Sequence, residues 1–518
     1  MTSTSDTPAP EGLLAALTGY EAALMANDLP ALDSAFAPGP ATLRGDEKAL
    51  LVGHDAISSF RSARGGVARR RIGQVEVREL GPHLALVVSV SEFATGGRGL
   101  QSQLWRRTDG TWRIEAAHVT SRPAPLDRTI WRAVGDPLMA ATGSGPLDGL
   151  TVAVKDLYAV PGQPVGAGNP TWLREAAVET EAAAALALLL SAGAAMRGIA
   201  RTDEFAYSIA GRNEHYGTPP NGVTPLAIPG GSSNGSASAV ALGLADIGLG
   251  TDTGGSVRVP ASYQGLWGLR TTHGLVPRDG LLALAPSFDT VGWLTRDGSV
   301  LCRVAGVCLP GVSASEPPAE FLVVEELLSC AEPATVAAFE SCLADVGIPV
   351  RRVRLAEYGI PEPAALRETF RLVQAGEAWD VRGEWIEAHP GALGPTIAAR
   401  FAAARDVDPG TRAAAVDRLP RDRDAIRKMV GDGIVALPTV PGPAPLLRAD
   451  AGALARTRSA TLAMTSLAGI GGLPALSVPA LTVAGAAGQP TAVGICLVGA
   501  AGTDRGLVAA ATELFDAA

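Results

Sequence analysis

The chain has 518 residues, more than one hydrophobic core normally supports, so we expect two domains. Hydrophobic residues make up 47% of the chain and charged residues 18%, which is typical of an ordinary soluble globular protein. The net charge of −9 argues against nucleic acids and anionic membranes as partners.

The sequence predicts neither a secretory signal nor a membrane span. Its first residues lack a charged region followed by an apolar core. The longest apolar run, residues 182–190, is too short to cross a bilayer and predicts a buried helix. The five cysteines form no CxxC pair and no metal-like grouping with histidine, which predicts free thiols, no zinc site and a cytoplasmic location.

Predicted elements begin after a Ser-, Thr- and Pro-rich tail, residues 1–10, for which we expect disorder. Apolar residues recur at helical spacing over 11–27, and a second helix is predicted over 54–64. Four strand-like segments follow, at 71–80, 84–93, 100–107 and 111–120. The Asp109-Gly110 pair between the last two is a strong hairpin signal.

Helices followed by a curved antiparallel sheet, within residues 11–121, resemble the nuclear transport factor 2-like (SnoaL-like) cone fold. AtzH-like domains are the variant of that fold that they resemble most. The Pro-containing segment 122–146 predicts a linker. Beyond it, over 147–518, strands and helices alternate in an α/β pattern.

Two clusters of serine and glycine lie within residues 229–258, PGGSSNGSASAVALGLADIGLGTDTGGSVR. Glycine permits positive φ angles and lets backbone N–H groups approach a ligand closely. Serine beside each cluster therefore predicts hydroxyls presented next to backbone donors. Nucleophilic acyl transfer needs this combination, an attacking oxygen and N–H groups that hold the oxyanion.

A lysine is the candidate base for this chemistry, because the chain has only six histidines. Lys155 ends the apolar run GLTVAVK, which predicts a buried strand that delivers its last side chain to a sheet edge. Desolvation lowers the pKa of a lysine, and a neutral amine can accept a proton. The competing interpretation is a lysine whose ammonium reaches solvent from the strand end.

Two other interpretations of the serines stay open at this point. Ser256 could be a small residue in a glycine-rich turn without a chemical role. Residues 231–235, GSSNG, also fit the nucleophile elbow of α/β-hydrolases, with Ser233 at the centre. That elbow should directly follow a strand, whereas a Pro-Gly pair precedes it here, and the enzyme would need His273 or His389 as its base.

Lys155 in AVKD, the GGSS cluster and GTDTGGS together resemble the amidase signature family, whose members hydrolyse amides with a Ser–cis-Ser–Lys triad. The resemblance implies that Ser256 is the nucleophile, that Ser232 is the bridging serine on a cis peptide, and that Lys155 is the base. It implies an α/β fold with a central mixed sheet flanked by helices, preceded here by the small α+β cone domain.

The same resemblance assigns roles around the nucleophile. The oxyanion hole would be formed by the backbone N–H groups of Thr253, Gly254, Gly255 and Ser256. Asp252 and Arg258 flank the nucleophile, and we expect them to brace its loop.

Longer segments resemble the branch of this family that contains plant indole-3-acetamide amidohydrolases. They are GAGNPTW, TDEFAYSIAGRNEHYGTPPN, SVRVPASYQGLWGLRTTHG and SFDTVGWLTRD. Two positions depart from the family pattern: Gln264 stands where a cysteine is usual, and Asn234 where a glycine is usual. We expect Gln264 to alter the polarity of the pocket, which bears on the substrate rather than the chemistry.

Three further features have both a functional and a structural interpretation. Trp379 and Trp385 lie on predicted helical segments within residues 377–401, a region that in this family often covers the substrate pocket, but they could equally be core or interface residues. His215 is interpreted as a hydrogen-bonded structural residue, because Lys155 already fills the role of base. We expect His118 to cap a sheet edge rather than point into a cone pocket.

We therefore predict a cytoplasmic amidase, without cofactor or metal, that converts a linear carboxamide to an acid and ammonia through an acyl-enzyme. By resemblance, the leading substrate is an aryl-acetamide such as indole-3-acetamide. Two alternatives stay open: a urea-like or carbamoyl (biuret-type) substrate, and an inactive amidase fold that serves as a binding module. The cone domain is expected to do no chemistry. We expect it to form a homodimer or to supply a lid to a neighbouring amidase pocket.

Overall fold

The computed structural model divides into two units, Met1–Leu126 and Asp127–Ala518. It describes every residue except 1, 4–8, 47–48, 63–66, 68–69, 94–97, 121–125, 310–317, 486–487 and 516–518.

The N-terminal unit is a seven-stranded sheet accompanied by three helices. Its elements are β1 (Thr2–Ser3), α1 (Leu13–Ala26), α2 (Leu29–Ser34), β2 (Leu43–Gly45), β3 (Leu50–Val52), α3 (His54–Ser62), β4 (Arg70–Gly81), β5 (Leu84–Phe93), β6 (Arg98–Thr108) and β7 (Thr111–Val119). The strand order is β1-β4-β5-β6-β7-β2-β3, and β4 to β7 form an antiparallel meander.

The helices and long strands of this unit confirm the elements predicted from periodicity. Helix α1 places Leu13, Leu17 and Leu24 in the core, as its helical spacing requires. The turn between β6 and β7 has positive φ at both Asp109 (51°) and Gly110 (78°), which is the geometry of a tight hairpin turn. His118 is exposed, so it does not point into the core.

The predicted disordered tail needs one correction. Residues 2 and 3 form β1, which pairs with Gln74 and Val75 of β4. The other predicted tail residues from 4 to 8, and the end of the helix predicted over 54–64, lie outside the described residues.

The second unit is built on an eleven-stranded mixed sheet. Its strands are β8 (Trp131–Met139), β9 (Thr151–Lys155), β10 (Ala195–Ala200), β11 (Ile247–Asp252), β12 (Trp267–Arg270), β13 (Thr290–Thr295), β14 (Phe321–Val324), β15 (Val350–Val353), β16 (Ile434–Pro438), β17 (Ala475–Ala484) and β18 (Pro490–Val498). Their order is β15-β14-β16-β18-β17-β12-β13-β11-β9-β10-β8.

Helices flank this sheet. They are α4 (Pro170–Glu175), α5 (Ala184–Ser191), α6 (Asn234–Ala241), α7 (Arg258–Tyr263), α8 (Gly298–Cys308), α9 (Glu325–Leu328), α10 (Pro333–Val346), α11 (Pro363–Ala388), α12 (Pro395–Arg405), α13 (Pro409–Val430), α14 (Ala451–Gly471) and α15 (Asp504–Phe515), with 3-10 turns at Glu204–Ala206 and Leu355–Tyr358. The mixed α/β fold matches the expectation.

The predicted linker, residues 122–146, is too long. Trp131–Met139 forms β8, an edge strand that runs antiparallel to β10. Proline is tolerated in an edge strand because one side of that strand needs no ladder hydrogen bond, and Pro137 lies in β8. The Pro-containing composition that predicted a linker is therefore compatible with a strand at this position.

Residues 184–190 of the apolar run lie in helix α5, whose Leu186 and Leu189 are fully buried. Within the described residues, no helix is both long enough and apolar enough to cross a membrane.

The pairing of two strands and the starts of two helices bring the candidate catalytic residues together. Strands β9 and β11 are parallel neighbours, so their last residues, Lys155 and Asp252, lie at the same edge of the sheet. Helix α6 begins directly after Ser232 and Ser233, and α7 begins two residues after Ser256. The second serine cluster therefore lies between β11 and α7, and the first lies directly before α6.

Candidate active site

Lys155 lies at the end of β9 with its side chain fully buried. Its Nζ atom is 2.8 Å from Ser232 Oγ, 3.0 Å from Ser233 Oγ and 2.7 Å from Thr251 Oγ1. An amine has three hydrogen-bonding positions, and three hydroxyls occupy them here. The structure therefore excludes the interpretation in which this lysine reaches solvent.

Burial lowers the pKa of Lys155 to about 7, because the charged ammonium loses its hydration. The negative charges of Asp203, Asp252 and Asp289 act in the opposite direction. A substantial fraction of this amine is therefore neutral near pH 7 and can accept a proton.

The first serine cluster is held between Lys155 and the second cluster. The peptide bond between Gly231 and Ser232 is cis, as the resemblance implies. The Ser232 carbonyl accepts hydrogen bonds from Thr202 Oγ1 (2.9 Å) and from the Asp203 N–H (3.2 Å). The Ser233 N–H donates to the Ser256 carbonyl at 3.2 Å. This last bond joins the backbones of the two clusters.

Ser256 follows Gly255, whose φ of 118° is a backbone conformation that favours glycine. Its side chain is in a buried position, with only 3% of the residue exposed. Across the described part of the chain, the Ser256 hydroxyl has no hydrogen-bond partner. The oxygen predicted as the nucleophile is therefore not engaged in a structural bond.

Asp252 braces the loop that carries Ser256. Its carboxylate accepts hydrogen bonds from the N–H groups of Gly255 (2.9 Å) and Val257 (3.2 Å). It also pairs with two buried guanidinium groups, those of Arg258 (2.9 Å) and Arg270 (3.1 Å). Burial alone would raise the pKa of Asp252, but these cations and N–H donors hold that pKa well below its usual value.

The bond from Gly255 changes the predicted oxyanion hole. Because the Gly255 N–H donates to Asp252, it is not available to a ligand in this conformation. Among the described residues, the N–H groups of Thr253, Gly254 and Ser256 have no partner. Three of the four predicted donors thus have no protein partner among the described residues.

Four residues that the sequence did not single out contact the predicted site residues. Thr251 contacts the lysine, Arg270 pairs with Asp252, and Asp289 accepts a 2.6 Å hydrogen bond from Thr253 Oγ1. Asp203 is buried, and its N–H donates to the Ser232 carbonyl. Burial raises the pKa of the Asp203 carboxyl to about 6. Asp203 lies in the segment TDEFAYS, already recognised as family-like, which was the one available signal for it.

Gln264 and Asn234, the two departures from the family pattern, form hydrogen bonds with neighbouring segments of the protein. Gln264 is buried, donates to the Pro229 carbonyl at 3.1 Å and accepts from the Gly222 N–H at 3.2 Å. Asn234 donates to Asp203 at 3.3 Å. Since the amide of Gln264 is occupied by loop contacts, the expected change of pocket polarity is not supported.

The histidines lie away from the serine pair. His215 Nε2 is 2.8 Å from Glu204, which supports its structural interpretation. The rings of His273 and His389 contact the carbonyls of Pro286 and Trp385 respectively. Ser233 Oγ instead contacts Lys155 and Thr251, so the nucleophile-elbow interpretation lacks its histidine base.

A cavity of about 790 Å³ lies beside these segments. Its wall includes Val259 and Tyr263 of α7, the helix that follows Ser256, and Ile209, whose carbonyl accepts the Gly231 N–H at 2.9 Å. Trp385 packs in an aromatic cluster with Trp172 at 5.3 Å and does not line this cavity. Of the region 377–401, residues of α12 form part of the wall.

The described residues contain no group of three or more His, Cys, Asp or Glu side chains arranged to hold a metal ion. The five cysteines are free thiols.

Comparison with known proteins identifies both units. The family model described as Amidase matches residues 132–319, and the model described as AtzH-like matches residues 10–124. Amidase 1 of Arabidopsis thaliana is 38% identical over 377 residues, 65% of this chain and 88% of the relative. Amidase 1 of rice (Oryza sativa subsp. japonica) is 34% identical over 71% of this chain and 91% of its own length.

Solved structures agree with this assignment. A crystal structure of an amidase superposes with a TM-score of 0.64 and 28% identity, over 76% of this chain and 92% of that one. The chain belongs to the amidase family and carries an AtzH-like unit ahead of its amidase unit.

Proposed function

We propose that this amidase hydrolyses a linear carboxamide to a carboxylic acid and ammonia, with Ser256 as nucleophile, Ser232 as proton relay and Lys155 as base. The observation that carries the proposal is the contact between a fully buried lysine and Ser232 Oγ at 2.8 Å. A lysine with a pKa of about 7 is suited to general-base catalysis near neutral pH.

In the first half-reaction, Lys155 takes the proton of the Ser232 hydroxyl while Ser232 takes that of Ser256. The freed Ser256 oxygen attacks the amide carbonyl carbon, and the tetrahedral oxyanion forms. The relay then returns the proton to the leaving nitrogen, the C–N bond breaks, and ammonia departs from an acyl-enzyme. Water hydrolyses the ester by the same proton path and restores Ser256.

The N–H groups of Thr253, Gly254 and Ser256 are the proposed oxyanion donors, because no protein group in the described residues competes for them. Asp252, held by Arg258 and Arg270, fixes the backbone that presents these donors. The brace acts through positioning and does not touch the reacting atoms.

We propose two classes of substrate. An aryl-acetamide is suggested by the resemblance to the plant branch, and a urea-like amide by the AtzH-like unit. The contacts of Lys155 disfavour an inactive binding module, because a buried lysine is costly and a scaffold gains nothing from one. We further propose a cytoplasmic homodimer, paired through the AtzH-like unit.

The test is ammonia release from a panel of primary amides and urea-like amides, with Ser256→Ala as the inactive control. A serine-directed fluorophosphonate should add mass to the peptide that carries Ser256. Modification at Ser233 instead, or full activity of Ser256→Ala, would contradict the assignment.

A further inference from the structure

Four arginines line the cavity beside the catalytic segments: Arg212 is exposed and lies in a loop, and the other three come from three different helices. Those three are Arg367 of α11, Arg400 of α12 and Arg458 of α14. Arg367 donates to Ser459 Oγ, and Arg400 donates to the Tyr207 carbonyl. None of the three forms an ion pair with a carboxylate of the described residues.

Arg458 is the least satisfied of these side chains. Its Nε atom is buried without a hydrogen-bond partner, and the described residues offer its guanidinium no hydrogen bond at all. Burial, together with the positive charges of Arg400 and Arg367, lowers the pKa of Arg458 to about 10. A buried donor without an acceptor is costly, so this arrangement favours a ligand that supplies one.

The acidic side chains of the same wall are already engaged. Glu204 accepts hydrogen bonds from Asn169, His215 and the Gly394 N–H. Glu214 accepts from the hydroxyl and the N–H of Thr396. The wall carries four arginines against these two glutamates, so its formal net charge is positive, although Asp203 and Glu214 act on Arg400 electrostatically.

The rest of the wall suits a carbon skeleton. Ile209, Ile228, Val259, Tyr263 and Leu454 contribute apolar surface. Ile209 and Val259 belong to the segments that contact Gly231 and Gly255, so the apolar surface lies toward the catalytic loops. A ligand could therefore place an amide near Ser256 and an anionic group among the arginines.

We propose that the natural substrate carries a carboxylate remote from the amide that is cleaved, and that Arg367, Arg400 and Arg458 bind this carboxylate. The proposal rests on the proposed function. It narrows the substrate class to half-amides of dicarboxylic acids and related acid amides. Guanidinium groups match the planar geometry of a carboxylate, and an ionised acceptor satisfies their donors better than water in a confined space. A neutral aryl-acetamide would leave those donors without a partner.

The experiment compares half-amides of aliphatic and aromatic dicarboxylic acids with neutral primary amides of the same skeleton. Hydrogen bonds to a charged group predict a kcat/KM roughly ten- to a hundred-fold higher for the carboxylated member of each pair. Arg458→Met should bring the ratio within each pair close to one, mainly through KM. Arg456→Met is the matched control, because Arg456 is an exposed arginine of the same helix that does not line the cavity, and it should preserve the ratio.

Binding to the Ser256→Ala protein, measured by calorimetry, separates this inference from the proposed function. Tighter binding of the carboxylated amides, lost in the Ser256→Ala/Arg458→Met protein, supports the carboxylate site even if turnover is absent. Equal affinity for carboxylated and neutral amides overturns it, even if the wild-type protein releases ammonia. Failure of the wild-type protein to release ammonia from any amide would overturn the proposed function instead.

Discussion

Lys155 shows how one residue can be both an energetic cost and the basis of reactivity. A fully buried lysine is rarely tolerated without partners, and here its partners are hydroxyls rather than carboxylates. Hydroxyls satisfy its hydrogen bonds without stabilising its charge as strongly as an ion pair would. The same contacts that make the burial tolerable therefore leave the amine able to lose its proton.

The pH dependence of activity should reflect the ionisation of Lys155. Because the neutral amine is the active form, kcat/KM should rise as pH increases through about 7 and then level off. Lys155→Ala should lower kcat by several orders of magnitude, and Lys155→Arg should not restore it, because a guanidinium stays protonated. Steady-state rates between pH 5 and 9 are the measurement.

Substitution of Asp203 is a control for assigning the acidic limb of the pH profile, the rise in kcat/KM through pH 7, to Lys155. Its negative charge raises the pKa of Lys155, so Asp203→Asn should lower that pKa and move the acidic limb to lower pH. An unchanged limb in Asp203→Asn, or an active Lys155→Arg protein, would contradict the role proposed for the lysine.

At the level of single residues, the sequence offered candidate site residues where local motifs are distinctive. Lys155, Ser232 and Ser256 each lie in a short pattern, and the structure brings the first two into contact. Arg270 and Asp289 lie in segments that resemble the family, but neither belongs to a glycine-rich cluster that would single it out. Their contacts with Asp252 and Thr253 become visible only in the packing of β12 and of the loop before β13.

At the level of elements, Asp252 connects β11, α7 and β12 through its two arginines. Such a pair contributes little net stability compared with an apolar replacement, but removing one partner leaves uncompensated buried charge. The brace therefore makes the geometry of the nucleophile loop depend on three neighbouring elements.

Asp252→Asn should lower the free energy of unfolding by about 3–5 kcal/mol, because it removes the carboxylate that pairs directly with both buried guanidinium groups. Urea unfolding followed by circular dichroism would measure the loss. Glu320→Gln is a matched control, since its pair with Arg351 is solvent-accessible and should be worth about 1 kcal/mol or less. Similar losses in the two variants would show that the brace is not buried in the way the structure indicates.

Strands were predicted well where alternation of apolar and polar residues was clear, as in β4 to β7. Strand β8 was missed because Pro137 and the surrounding prolines are typical of a linker. Its assignment depends on its position at the edge of the sheet, where a proline costs no ladder bond. Edge position is a property of the whole sheet and is not encoded in the strand itself.

At the level of the whole molecule, two units of different family share one chain. We predict that a protein beginning at Leu126 stays folded, runs as a smaller species in light scattering, and still accepts a serine-directed label at Ser256. The physical reason is that the proposed catalytic groups all belong to the second unit. The full-length chain, measured in parallel, should be a dimer.

A folded truncated protein that cannot be labelled would make the AtzH-like unit part of the active site. A truncated protein with the oligomeric state of the full chain would remove the proposed dimer interface from that unit.

The contacts of Lys155 also bear on how the molecule assembles. They join residues 77 and 96 positions apart along the chain, so they require strands β9 and β11 to be paired already. Closing loops of this length is slow compared with forming local turns and helices. We therefore expect the reactive arrangement to form late in refolding, so that the rate at which Ser256 becomes modifiable would report completion of the central sheet.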